Sequence, residues 1–206
     1  MTAACNHFAS IYFYLDSIKN KDTCTFASYK CDSIDTFNSG KCLKCSSKGC
    51  NKMGYFASPE KDLTTLYLDT KEAIKQSSCR QDYLLNFYSS KLSSMTRTKG
   101  KFTIFFETET QTSSTEVIDE SGSTWTPGSV NTRLVSLEQP LDLNSPITSA
   151  FVFFEKTSNL IESWFYDSFW SFDSIEIFSG ENQILTKLCP QKPTIQSNEV
   201  VQFNRC

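Results

Sequence analysis

The spacing of apolar residues changes near residue 60. Over residues 7–19, Phe8, Ile11, Tyr12, Leu15 and Ile18 recur at three- and four-residue steps, which predicts one helical face. Asn6 is the expected N-cap. Between Cys24 and Cys50 the periodicity fades into a run dense in Cys, Ser, Lys and Gly, where one helical turn around Ser33–Phe37 is predicted. From Leu63 onward the pattern alternates. Strands are expected at LTTLYLDT (63–70), QDYLLNFYSS (81–90), KFTIFFETET (101–110), STEVIDE (114–120) and NTRLVSLEQ (131–139). More follow at SAFVFFEKT (149–157), NLIESWFY (159–166), SFDSIEIFS (171–179), Gln183–Leu188 and Glu199–Phe203. Lys99–Gly100, Ser121–Gly122, Pro127–Gly128, Asn144–Ser145–Pro146 and Ser179–Gly180 supply turn signals between them. Short strands, regular turns and no intervening helix predict a mainly β chain that closes as a β-sandwich. SPEKDL (58–63) reads as a linker, dividing the chain into residues 1–60 and 61–206.

Composition sharpens this picture. With 206 residues the chain is long enough to bury a real core. Aromatic residues reach 14%, including 17 Phe, and such side chains suit a pleated, half-buried surface. The net charge of −3, with no long basic run, gives no reason to expect nucleic acid as a partner. No stretch approaches the ~20 apolar residues of a transmembrane helix.

Cysteine changes the expected compartment. The nine cysteines stand at positions 5, 24, 31, 42, 45, 50, 79, 189 and 206. That density points to an oxidising, extracellular setting. The apolar run Ile11–Leu15 is too short for a secretion leader and lacks its flanks, so further sequence upstream is expected. The odd count leaves one thiol without a partner. CLKC (42–45) followed by Cys50 invites a zinc reading with Cys31 as fourth ligand. The remaining cysteines have no knuckle spacing and the lone histidine sits elsewhere, so staples are expected and no metal. Spacing leaves the pairing open.

Two stretches carry a resemblance. CNH (5–7), followed by a helix that runs to DSI (16–18), and YKCDSIDTFNSGKCLKCSSKGCNKMGY (29–55) resemble the end of the catalytic domain in the pancreatic lipase family. That family includes pancreatic, lipoprotein and hepatic lipases and related phospholipase A1 enzymes. LYLDT (66–70) is similar to the first strand of the family's C-terminal PLAT-type β-sandwich. The resemblance implies the pairs Cys31–Cys42, Cys45–Cys50 and Cys189–Cys206. It also implies Cys24–Cys79 as a bridge between domains, a feature of the phospholipase A1 branch. Cys5 is then unpaired, because its family partner lies in a lid upstream. Residues 1–60 become the helical, disulfide-rich end of an α/β-hydrolase domain, and residues 61–206 a PLAT-like domain.

The resemblance makes His7 a catalytic residue, the general base of a Ser-His-Asp triad whose chain order is Ser, Asp, His. Ester hydrolysis of this kind needs no cofactor. A nucleophilic serine, an orienting carboxylate and an oxyanion hole are all required. This chain has no G-x-S-x-G; GSTW (122–125) lacks the second glycine, while Ser10 and Asp16 share the local helix of His7. The family has Arg two residues after the histidine, where this chain has Ala9. The expected function is therefore the C-terminal part of a secreted carboxylic ester hydrolase acting on acyl glycerides or phospholipids. The alternative is a non-catalytic lipid- or partner-binding protein of the same family. A lipid interface is the expected partner, with room for a protein cofactor.

ESWFYDSFWSF (162–172) is the candidate interfacial segment. Trp164 and Phe165 are expected on a strand, and Phe169 and Trp170, beside a turn at Asp167–Ser168, are the lipid-contact candidates. Lys41, Lys44, Lys48 and Lys52 read as a solvated face of the stapled loop.

Overall fold

The computed structural model describes residues 3–46, 49–58, 65–70, 78–91, 96–118, 122–157 and 164–206, with side chains from residue 7 onward. Helix α1 (Ala3–Lys19) opens the chain. It begins before Asn6, so that residue is an interior helical position rather than the expected cap. Strand β1 (Ala27–Lys30), helix α2 (Ile34–Asn38), β2 (Asn51–Lys52), a 3-10 turn (Gly54–Phe56) and β3 (Leu66–Tyr67) complete an N-terminal module. Ser33 caps α2 by accepting from the Thr36 N–H at 3.1 Å.

β3 was expected to be the first sandwich strand. It pairs instead with β1, through Tyr29 opposite Tyr67, in a three-stranded sheet ordered β2-β1-β3. The chain therefore returns to the N-terminal module after residue 60, before it enters the sandwich. The expected strand at 159–166 is also corrected: Trp164–Tyr166 form turns, and residues 159–163 lie outside the described residues.

The sandwich is built from β4 (Gln81–Ser89), β5 (Thr98–Glu107), β6 (Glu116–Val117), β7 (Thr124–Trp125) and β8 (Val130–Leu137). It continues with β9 (Ser149–Lys156), β10 (Phe169–Ser179), β11 (Leu185–Pro190), β12 (Thr194–Gln196) and β13 (Glu199–Arg205). Hydrogen bonding runs β6-β5-β9-β13-β11-β10-β4-β8, with β12 beside β10 and β7 beside β5. The named pairs are all antiparallel. β11 makes the corner. Its first residues pair with β10, its last with β13, and Leu188 faces both. The Cys189–Cys206 disulfide closes the same corner.

Alternation explains the packing. On β5, Thr98, Gly100, Phe102, Ile104 and Phe106 point inward while their neighbours stay half-exposed. Phe102 sits at the centre, with ring centroids 4.5 Å from Trp125, 4.5 Å from Trp170 and 4.9 Å from Phe154. Phe172 continues the cluster to Phe203 at 4.7 Å, so rings from both layers interlock.

A second cluster lies outside the sandwich. Ala27, Tyr29, Cys31, Phe37 and Leu43 pack on Leu84, Leu134 and Phe178, which project from the outer faces of β4, β8 and β10. The N-terminal module is thereby laid against one sheet. Gly40 marks how close the contact is: at φ 69°, it leaves no room for a Cβ beside the Leu84 side chain.

Candidate functional site

His7 stands on α1 with its side chain exposed. Among the described residues its imidazole has no hydrogen-bond partner; Ser10 Oγ donates only to the His7 backbone carbonyl, at 2.7 Å. Asp16 lies nine residues along the same helix, about 13 Å away. Its carboxylate is already used. One oxygen accepts from Asn20 Nδ2 at 2.6 Å, and the other accepts from the Ser78 N–H and hydroxyl, each at 2.6 Å. Asp16 therefore ties α1 to the start of the sandwich. Ser123, in the GSTW stretch, accepts from the Arg133 guanidinium at 3.1 Å, beside the buried Trp125. The described residues thus bring neither a serine nor a carboxylate to His7.

The apolar stripe predicted on α1 faces outward. Phe8 is 62% exposed, and Ile11, Tyr12, Tyr14, Leu15 and Ile18 are also exposed. The helix is held from its other side and its end. Ser17 Oγ accepts from the Tyr55 N–H at 2.9 Å, and Tyr14 meets Tyr55 edge-on at 6.1 Å. Asp16 and the Cys24–Cys79 disulfide complete the anchorage.

The structure joins Cys24 to Cys79, Cys31 to Cys42, Cys45 to Cys50 and Cys189 to Cys206. The four cysteines of the zinc reading therefore sit in two disulfides. Cys24, Cys79 and Glu181 lie within 4.8 Å of one another, but the two sulfurs are bonded together and offer no thiolate. The Cys5 side chain lies outside the described residues. Lys41, Lys44 and Lys52 are exposed, while Lys48 is outside the described residues.

The interfacial candidates need a correction. Trp170 is fully buried, and its indole N–H donates to Ser89 Oγ at 3.0 Å. Strand alternation on β10 and the flanking β12 turn this ring into the aromatic core. Phe169 is half-buried against the same core. The exposed rings are Trp164, at 89%, and Phe165, at 60%. The Arg97 guanidinium stacks over Tyr166 at 4.9 Å and donates to the Phe165 carbonyl at 2.9 Å. Asp167 accepts from the Thr96 and Arg97 N–H groups, and Lys156 Nζ donates to the Tyr166 carbonyl at 2.6 Å. This loop thus holds two apolar rings outward amid Arg97, Lys99 and Lys156. The sequence signal was present in the density of aromatics, but a strand assignment placed the wrong members outside.

A family model described as Lipase matches residues 1–75. Pancreatic triacylglycerol lipase of Sus scrofa is 48% identical over 54 residues, which cover 26% of this chain and 12% of that protein. The Homo sapiens pancreatic triacylglycerol lipase is 42% identical over 76 residues, covering 34% of this chain and 16% of that protein. "Inactive pancreatic lipase-related protein 1" of Homo sapiens is 48% identical over 54 residues, covering 26% and 11%. The chain therefore spans only a small fraction of the length of these relatives. Among solved structures, a LOX deletion variant matches 60% of this chain and 16% of its own at TM-score 0.47 and 13% identity. Clostridium perfringens alpha-toxin matches 61% of this chain and 31% of its own at TM-score 0.44 and 12% identity. No helix among the described residues is long and apolar enough to cross a membrane.

Proposed function

Residues 1–75 match the lipase family, and from that premise we propose that the chain is the C-terminal part of a secreted acyl-ester hydrolase of the pancreatic lipase family. Residues 1–60 are its share of the α/β-hydrolase domain, laced to a PLAT-like sandwich by β3 and the Cys24–Cys79 bridge. One observation carries the reading. His7 is exposed on a helix whose apolar stripe is uncovered yet whose opposite side is firmly tied. That is how a helix looks when it completes a larger sheet. In the whole protein, His7 is the general base. A serine and an aspartate from upstream sequence supply nucleophile and orienter, and an oxyanion hole stabilises the tetrahedral intermediate. The acyl group comes from a glyceride, as in the names of the matched triacylglycerol lipases, or from a phospholipid.

The test compares two proteins. This chain alone is expected to hydrolyse p-nitrophenyl butyrate no faster than its His7→Ala variant, since it carries no G-x-S-x-G and no described residue brings a serine to His7. Joined to the upstream catalytic segment, the native chain is expected to turn the ester over, and His7→Ala to lower kcat by about 10⁴-fold or more. A His7-dependent rate in the short chain, or none in the joined one, would count against the reading.

A non-catalytic role is the second reading. Ala9 stands where the family carries Arg, and one of the matched relatives is named inactive. An inactive joined protein that still binds lipid would favour it.

The sandwich supplies the lipid contact in both readings, through Trp164 and Phe165. Their rings are already outside the core, so Trp164→Ser with Phe165→Ser leaves folding intact. Partition onto vesicles of phosphatidylcholine and phosphatidylglycerol is expected to fall about tenfold or more, as two apolar side chains are withdrawn from the interface. Equal partition of variant and native chain would move the contact elsewhere.

A further inference from the structure

The turn between β10 and β11 is where the stapled module and the sandwich hold each other. Gly180 donates its N–H to the Asp82 carbonyl at 2.8 Å, and there is no room for a side chain at Gly180 beside Tyr29. Gln183, at φ 60°, reaches back into the stapled loop. Its Oε1 accepts from the Cys45 N–H at 2.9 Å and its Nε2 donates to the Leu43 carbonyl at 3.0 Å. Between these two residues stands Glu181. Its carboxyl faces Thr25, and one of its oxygens lies 3.8 Å from Cys24 Sγ. The other oxygen is buried without a hydrogen-bond partner, as is the Tyr29 hydroxyl. Asp82 is 3% exposed on β4 and accepts from Ser136 Oγ at 2.5 Å.

Two acids thus line one seam, and among the described residues neither forms an ion pair. From β1 the facing group is Tyr29, from β4 Tyr83, and both phenols are pushed up by burial. From β2 comes Lys52, which is exposed. Beside Asp82 lie Asp69 and Arg80, but Arg80 is committed to Asp69 at 2.9 Å and Glu138 at 3.1 Å. We propose that Asp82 and Glu181 form a pH-sensitive latch between the stapled module and the sandwich, holding the two together when protonated and loosening the β10–β11 turn when ionised.

The direction follows from burial. Desolvation, reinforced for Glu181 by the Asp82 charge and for Asp82 by Asp69, raises each carboxyl to about 7. The folded chain therefore binds these protons more tightly than the unfolded chain, whose carboxyls titrate near ~4. The contribution to stability is full below that value. It declines as pH rises and is lost as pH passes through about 7.

The test is hydrogen exchange on the full chain at pH 5.5 and pH 8.0, with rates corrected for intrinsic chemistry. In the native chain, peptides from residues 25–30 and 43–46 are expected to lose protection by on the order of a hundredfold over that rise, more than those of β9 and β13. The Asp82→Asn, Glu181→Gln variant is expected to change by less than about threefold. A flat native profile, or an equally steep one in the variant, overturns the proposal. If that variant does not fold, ¹³C titration of the native carboxyls decides. Midpoints of the two groups near neutrality support the latch, and midpoints in the ordinary carboxylate range end it.

Discussion

Trp170→Ala is expected to destabilise the sandwich by about 3–5 kcal/mol, the usual cost of emptying a large aromatic site in a core. The ring is surrounded by Phe87, Phe102, Trp125 and Phe172, with centroid distances of 5.8, 4.5, 4.7 and 4.6 Å. These neighbours come from four strands, and none can collapse inward without dragging its own strand. The substitution also strips Ser89 of the indole N–H that donates to it. Domains of this size hold only about 5–15 kcal/mol in total, so the variant stands near unfolding at 25 °C. Urea denaturation followed by tryptophan fluorescence reads the change as a lower midpoint. A loss under about 1 kcal/mol would mean that the ring is not the core residue described above. The same experiment separates Trp170 from the loop rings: Trp164→Ser is expected to leave the midpoint in place and alter only vesicle binding.

Removing the Cys24–Cys79 bridge is expected to cost about 4 kcal/mol in the chain-entropy view, because it closes a separation of 55 residues. The loss concentrates on the N-terminal module. Without the bridge, α1 and β1 are held to the sandwich by Asp16 on Ser78, the Gln183 bonds and the contacts around Tyr29 and Leu43. Double substitution, Cys24→Ser with Cys79→Ser, is expected to split urea unfolding into two transitions, the module leaving first. Both positions are buried, at 1% and 0% exposure, so the serine hydroxyls add to the penalty. A single transition at the native midpoint would show that the module is held by packing alone.

Much of the sandwich was legible in the sequence because alternation runs through most of its long strands. β4, β5, β8 and β9 lie within three residues of their expected bounds. Errors arose where residues near one another in sequence have different neighbours in space. LYLDT alternates like any other strand, but the edge it finds is β1. ESWFYDSFWSF holds enough aromatics for a strand and a core throughout, yet Trp164–Tyr166 turn, with Asp167 pinned to Thr96 and Arg97. The stripe on α1 was read correctly as a helical face, but a periodic pattern cannot say whether anything covers it.

The seam between module and sandwich left no signal at all. Asp82 and Glu181 are ninety-nine positions apart, and each reads by itself as an ordinary surface acid. The amino-acid order by itself determined most of the long strands, the helix and the lipase likeness of the first 75 residues, because period, turn chemistry and motif are local properties. Tertiary structure alone decided which edge β3 joins, which tryptophan faces water and which carboxyls meet across the seam. Those are matters of three-dimensional neighbourhood, and burial acts on a group through everything packed around it, however distant in the chain.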